Sequence, residues 1–316
     1  MKKISFVIPV YNSEQTIADV VRGIEQTART LSEYNIEVIL VNDYSRDNSW
    51  AELKRLAHEK SFVKSFCLSK NYGQSNAIMA GFNHVTGDYV ICLDDDMQTP
   101  PEEFPKLLQS LIENDFDVVF GHYGAKKHAA WRNLGSKFNN LMARSLTGMP
   151  VNVYPSSYFC VRRYVVDEVI KYKNPYPYLG GLFFRVTINV GNCEINHRQR
   201  EIGKSNYSMK KLITLWLNGF TSFSVKPLRI ASFMGFIITA ISFIAAIILI
   251  TLKLIDPASI QAGWTSTLVI ILLVGGIQLI FIGLLGEYIG RSYLCLNKTP
   301  QYVIRESITG VKDEDN

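Results

Sequence analysis

Three consecutive carboxylates, Asp94, Asp95 and Asp96, close an apolar run in the stretch VICLDDDMQTP. Side chains of an extended segment alternate, so Asp94 and Asp96 are expected on one side and Asp95 on the other. Two carboxylates together with no lysine beside them form a hard-oxygen site suited to Mg²⁺ or Mn²⁺, above all where a diphosphate adds further oxygens. A bound cation offsets the repulsion that the trio otherwise costs. Acidic residues also favour helix N-termini, but Glu102 and Glu103 can serve the helix expected over 102–113 by themselves.

The elements that must position this trio are legible as alternating apolar runs and helical patterns over residues 1–205. Strands are expected at 4–10, 36–42, 63–68, 88–93 and 116–121, and further helices at 48–60 and 74–85. Between the first two strands, Ile17, Val20, Val21, Ile24 and Leu31 share one helical face, with Ser13 as the expected cap. This rhythm predicts an α/β fold, a parallel sheet with helices on both faces, whose ligands sit beyond the carboxyl ends of the strands. Pro9-Val10-Tyr11-Asn12, Asn42-Asp43 and the aspartate trio all end expected strands and should meet on one rim.

Composition excludes several classes. A chain of 316 residues, 47% hydrophobic and 19% charged, can bury a sizeable core and carry an appendage; it is neither disordered nor fibrous. A net charge of +5 makes no case for nucleic acid. The five cysteines are scattered without a C-x-x-C pair, as expected of buried thiols in a reducing compartment. The opening MKKISFVIPVYN is too short in apolar residues for a secretory signal and is expected to be a strand.

Two charge-free stretches, 230–252 and 264–286, are each long enough to cross a bilayer as a helix. Lys210, Lys211, Lys226 and Arg229 precede the first, and Arg291, Lys298 and Arg305 follow the second, whereas residues 253–263 carry one lysine and one aspartate. The expectation is a transmembrane hairpin over 230–290 in the inner (plasma) membrane, multi-pass, with the catalytic domain, both termini and the tail 291–316 cytoplasmic. Residues 206–229, with Lys210, Lys211, Trp216, Phe220, Phe223 and Lys226, suit an amphipathic segment lying in the interface.

In this order, VIPVYN, VNDYSRDNS, KNYGQSNAIMAGF, GDYVICLDDDMQTPPE and REIGKSNYSMKKL, followed by two apolar spans, resemble the family 2 glycosyltransferases that load a sugar onto polyprenyl phosphate. Dolichyl-phosphate mannose synthases and bacterial undecaprenyl-phosphate sugar transferases form that group. The resemblance covers nearly the whole chain and implies a GT-A, Rossmann-like domain over 1–205 that binds a nucleotide diphosphate sugar. It implies that Asp43, with Pro9, Tyr11, Glu14 and Asp95, serves the nucleotide, and that Asp94 and Asp96 hold Mg²⁺ or Mn²⁺ and are catalytic. Arg200, also catalytic, and Ser205 fall on its R-x-x-G-x-S pattern, and with Gln98, Arg132 and Lys137 are implied to face the donor and acceptor phosphates. Arginine suits this because its fork bonds phosphate oxygens in pairs.

There are departures from the family's pattern. Asn42-Asp43-Tyr44-Ser45 stands where many relatives read D-D-G-S, and Ser156-Ser157-Tyr158-Phe159 where many read G-D-F-R. A saccharide hydroxyl needs a base to remove its proton, whereas a phosphate monoester, with a second pKa of about 6, is mostly dianionic at neutral pH. The missing aspartate therefore favours a polyprenyl phosphate acceptor, with inverting transfer of one sugar. The alternative is a membrane-bound enzyme that extends a saccharide in cell-envelope polysaccharide synthesis. Processive relatives carry Q-x-x-R-W, and none of Trp50, Trp131, Trp216 or Trp264 stands in that context. A homo-oligomer is compatible with the sequence.

Overall fold

A computed structural model describes residues 1–123, 150, 153–175, 177–196, 263–297 and 299–309, with single residues between 233 and 255. The chain forms two compact units, 1–212 with 298–316 and 213–297.

The first unit is built on one eight-stranded sheet. Its strands are β1 (Lys2–Val10), β2 (Tyr34–Asn42), β3 (Val63–Leu68), β4 (Tyr89–Cys92), β5 (Val118–Tyr123), β6 (Phe159–Arg162), β7 (Val190–Ile195) and β8 (Ile304–Thr309), in the order β7-β5-β6-β4-β1-β2-β3-β8. The first five fall where the apolar runs predict them. β1 to β4 are mutually parallel, as are β5 and β7, whereas β6 runs antiparallel to β4 and β5, and β8 antiparallel to β3. The sheet is therefore mixed rather than parallel throughout.

Helices cover both faces, which is why the inner strands read as near-continuous apolar runs. On one side α1 (Ile17–Ala28), α2 (Ser49–Glu59) and α4 (Phe104–Glu113) bury Ile17, Val21, Leu53, Phe104 and Leu107 against Ile4, Phe6 and Ile8 of β1. On the other lie α3 (Gln74–Phe82), α5 (Arg163–Val169) and α6 (Leu179–Val186). There Phe82, Phe120, Phe159 and Phe183 pack ring against ring. α3 comes close because residue 81 is glycine; a Cβ there would stand 2.4 Å from Val7 Cγ1.

Ser13 does not cap α1. The N-cap is Thr16, without a side-chain cap bond, and the Ser13 hydroxyl donates instead to Asp95 and to the Tyr11 carbonyl. Residues 304–309, expected as plain tail, form an edge strand. Of the expected thiols, Cys67, Cys92 and Cys160 are buried and free, and Cys193 is half-buried.

In the second unit, α7 (Trp264–Leu296) runs 33 residues and contains the second expected span. Its described aliphatic side chains include Ile270, Ile271, Leu279, Ile280 and Ile282, all exposed. Side chains along it are described only in part, and among the described residues no helix is long and apolar enough to cross a membrane. The first expected span, 230–252, and the segment 206–229 lie mostly or wholly outside the described residues.

At the amino ends of the central strands, Glu37 is 2% exposed. Its Oε1 accepts from Ser5 Oγ (2.5 Å), Thr86 N (2.6 Å) and Thr86 Oγ1 (2.8 Å), and its Oε2 pairs with Lys3 (3.0 Å) and Lys64 (2.9 Å). Burial alone would push this carboxyl up, but the Ser5 hydroxyl, the Lys64 ammonium and both Thr86 donors outweigh it and hold it at about 2. With its native pKa below its unfolded one, Glu37 contributes stability that is present above about pH 4.5 and lost as pH falls toward 2. Glu37→Gln should lower stability by about 2 kcal/mol at pH 7, since Lys3 and Lys64 remain partly solvated, and should flatten that acid limb of a thermal-unfolding series.

Candidate functional site

Carboxyl ends of parallel strands gather loops on one rim, and β1 lies between β4 and β2, where the order of the strands reverses. A crevice outside such a switch point is where ligands of open α/β sheets bind. β4 stops at Cys92, paired with Val7, while β1 runs on to Val10 beside β2. Pro9 lies in this overhang, where a residue without an N–H loses nothing to a missing neighbour. Each of the four strand ends is followed by a residue with positive φ: Asn12 (55°) after β1, Tyr44 (58°) after β2, Gly73 (89°) after β3 and Met97 (61°) after β4. Strain of this kind is uncommon outside functional sites, and it is costlier for a tyrosine than for a glycine.

The aspartate trio lies beyond β4 in a turn, so its side chains diverge by turn geometry rather than by strand pleat. Asp95 faces the loop after β1, accepting from Tyr11 N (2.9 Å) and from the Ser13 hydroxyl, while its carbonyl accepts from Thr16 Oγ1 (2.6 Å). Burial pushes its carboxyl up to about 6 against those donors, and Asp94 and Asp96 add repulsion in the same direction. Asp94 turns the other way. Its Oδ1 accepts from Gln74 Nε2 (2.8 Å), its Oδ2 from Ser157 Oγ (2.5 Å), and its N–H donates to Thr99 Oγ1 (3.1 Å). Asp96 Oδ1 accepts from Gln98 N (3.2 Å), an Asx-type turn closed around Met97.

Asp43 directly follows β2 and is 3% exposed. Tyr72 N (2.7 Å) and Gly73 N (2.8 Å) donate to its two oxygens, and Asn71 Nδ2 to its carbonyl (3.2 Å), so it shapes the loop into α3. Burial pushes its carboxyl up to about 6 in spite of these donors. Glu14 accepts from Asn48 N (2.9 Å) and thereby holds the start of α2.

Glycosyl transferase family 2 matches residues 5–170 of the chain. A protein of Proteus mirabilis called undecaprenyl-phosphate 4-deoxy-4-formamido-L-arabinose transferase is 38% identical over 99% of this chain and 95% of its own. Proteins of the same name from Yersinia enterocolitica (35%) and Photorhabdus laumondii (36%) align over 100% of this chain and 97% of theirs. The chain belongs to glycosyltransferase family 2. The resemblance carried by its motifs is thereby borne out, and the protein is a glycosyltransferase with the GT-A, Rossmann-like fold. Among solved structures, glucosyl-3-phosphoglycerate synthase from Mycobacterium tuberculosis with UDP shares that fold at a TM-score of 0.51 and 16% identity, covering 70% of this chain and 79% of the other.

In this family 2 glycosyltransferase the structure brings Tyr11, Asp95, Asp94, Asp96 and Gln98 together beyond β1 and β4; Asp43 follows β2 and bonds the loop into α3, while Glu14 is bonded to the start of α2. Arg132, Lys137, Arg200 and Ser205 lie outside the described residues. Gln74, Thr99 and Ser157, all bonded to Asp94, were not singled out as site residues in the sequence. Gln74 stands in the KNYGQSNAIMAGF motif, and Ser157 at the place of the family's aspartate, but only the bond to Asp94 reveals their use.

Asp43 and Glu37 act on stability in opposite directions. A carboxyl raised to about 6 from 3.8 adds stability that is full below about pH 3.8 and lost as pH rises through 6. In ligand-free protein, the wild type should therefore lose stability relative to Asp43→Asn between pH 4 and 6, as read from thermal unfolding at each pH. Asp95→Ala should cost about 2 kcal/mol at pH 5, because Tyr11 N and the Ser13 hydroxyl then lose their buried acceptor.

Proposed function

We propose that the chain moves one sugar, with inversion, from a nucleotide diphosphate sugar to a polyprenyl phosphate at a membrane surface. The observation that carries this reading is end-to-end similarity to relatives named for transfer to undecaprenyl phosphate, joined to the two carboxylates on the rim. Those names make 4-deoxy-4-formamido-L-arabinose the first sugar to test.

Asp94 and Asp96 would hold a divalent cation. The donor chemistry fits: hard carboxylates whose described partners include an amide, a hydroxyl and a backbone N–H. Among the described residues no three His, Cys, Asp or Glu side chains converge to hold a metal ion. Mg²⁺ or Mn²⁺ bound there would neutralise charge on the leaving diphosphate. Gln74 and Ser157 fix the Asp94 carboxylate from two sides, and Asp95, turned away, keeps the β1 loop closed against the trio. Asp43, with Pro9, Tyr11 and Glu14, would serve the nucleoside. Arg200, with Gln98, Arg132, Lys137 and Ser205, would serve the phosphates.

Ser157 stands where many relatives carry an aspartate, and its hydroxyl is committed to Asp94. An acceptor that arrives as a phosphate dianion needs positioning, not deprotonation.

The membrane hairpin is proposed from the two charge-free stretches and the cationic residues that flank them. The second stretch lies inside α7, a helix of about 50 Å at the usual rise. Thiol labelling of a cysteine placed at Ser259 by an impermeant reagent, in a chain cleared of its other cysteines, should occur only from outside the cell.

For the chemistry, membranes containing the protein should convert a radiolabelled nucleotide sugar and undecaprenyl phosphate into an organic-extractable sugar phosphate. Asp96→Asn and Asp94→Asn should each reduce turnover by about 10² or more, on the scale of losing a transition-state charge stabiliser. Chelator should abolish activity and Mn²⁺ restore it. Lipid product formed at the wild-type rate by Asp96→Asn would overturn the assignment.

A further inference from the structure

Glu103 follows the aspartate turn, and its place at the start of α4 predicts a carboxylate that serves that helix. It is the N-cap residue, yet its side chain makes no cap bond. It reaches instead to the end of β7, 93 positions on in sequence. Oε1 accepts from Asn196 Nδ2 (3.0 Å) and Oε2 from Asn196 N (3.3 Å), so one carboxylate holds both the side chain and the backbone of a single residue. The Lys106 ammonium lies 2.6 Å from Oε2. Glu103 is 9% exposed. Burial alone would push its carboxyl up, but Lys106 and the two Asn196 donors outweigh it and hold it below its ordinary value.

β7 does not need this bond to stay in the sheet. Its six residues pair with β5 from Val190↔Val118 to Ile195↔Tyr123, and Ile195 packs so closely on Gly121 that a Cβ there would stand 2.4 Å from Ile195 Cδ1. Asn196 is the first residue past the last of these pairs. A clamp at that position governs where the chain goes on leaving the strand, not whether the strand forms.

The other end of the clamp is tied to the aspartates. Asp94 N donates to Thr99 Oγ1 (3.1 Å). The Pro100 carbonyl accepts from the Tyr158 hydroxyl (3.0 Å) and from Glu103 N (3.1 Å), which closes a 3-10 turn over Pro101–Glu103. These bonds and the fixed φ of Pro100 and Pro101 make the segment from Asp94 to Glu103 a stiff arm. Arg200 stands four positions beyond Asn196, at most about 14 Å of chain. A group that bonds a leaving diphosphate must be held closely, since a misplacement of about 1 Å can cost about 10² in rate.

We propose that Glu103 is a positioning residue for sugar transfer: by gripping Asn196 it sets where the chain leaves β7 toward Arg200, at a fixed offset from Asp94 and Asp96. The inference rests on the reading that Arg200 serves the phosphates, and it adds what places that arginine.

The test is turnover of the full chain in lipid nanodiscs, with undecaprenyl phosphate and the nucleotide sugar that supports wild-type turnover. Asn196→Asp sets two carboxylates face to face and should lower kcat about tenfold while the donor KM changes less than about twofold. Joined to Glu103→Gln, which turns the amide and carboxylate round, it should recover to within about twofold of wild type. Lys106→Ala leaves the clamp standing and should turn over as wild type does. In an Arg200→Ala background Asn196→Asp should cost nothing further, because the side chain it misplaces is gone. A clamp that serves only the fold would add its full cost to that of Arg200→Ala. Such additivity, no recovery in the swapped pair, or wild-type turnover in Asn196→Asp would overturn this inference alone. Wild-type turnover in Arg200→Ala would overturn the phosphate role of Arg200 and this inference with it, and a wild type that transfers no sugar to the lipid would overturn the donor reading as well.

Discussion

Hydrogen bonds from Tyr11 N and the Ser13 hydroxyl to the Asp95 carboxylate tie the loop after β1 to the loop after β4. Three adjacent carboxylates repel, and they can share one strand end only if something draws them apart. Asp95 is drawn toward β1, and Asp94 is drawn toward Gln74 and Ser157 on the other side. Asp96 is held back by its own turn through Met97. Divergence of the trio is thus a tertiary interaction between chain segments about eighty residues apart, and everything asked of the rim depends on it.

The unit distributes its electrostatic costs unevenly along the strands. Glu37, at the amino ends, is satisfied by five donors and holds its charge firmly, so it knits β1, β2, β3 and the turn before β4 into a stable base. Asp43, buried, and Asp95, half-buried, stand at the carboxyl ends, and their donors do not offset desolvation. Positive φ angles at Asn12, Tyr44 and Met97 add backbone strain at the rim. A site that is to receive a cation and a diphosphate gains from that asymmetry, because ligand binding can relieve what folding alone leaves unrelieved.

What could be read from residues alone followed the period of the apolar pattern. β1 to β5 are buried on both faces or nearly so, which makes their runs dense and easy to recognise. β6 has four residues, FCVR, and β8, IRESIT, carries charges on an exposed edge, so neither stands out from loop or tail. Edge strands tolerate polar residues because only part of their surface is buried. Ser13 looked like a helix cap because it stood just before the first apolar turn. It was claimed by Asp95, 82 positions on, and no local rule can see such a competitor.

The sequence by itself determined the family, the α/β rhythm, the rim on which acidic and polar strand ends must gather, and the two charge-free stretches, since each is encoded by residue type at short spacing. Only the tertiary structure decided which carboxylate of the trio faces which loop, that Gln74 and Ser157 grip Asp94, and that Glu103 reaches Asn196 at the end of β7. Those outcomes turn on strand order and register, which bring distant segments into contact and so leave no periodic trace in the chain.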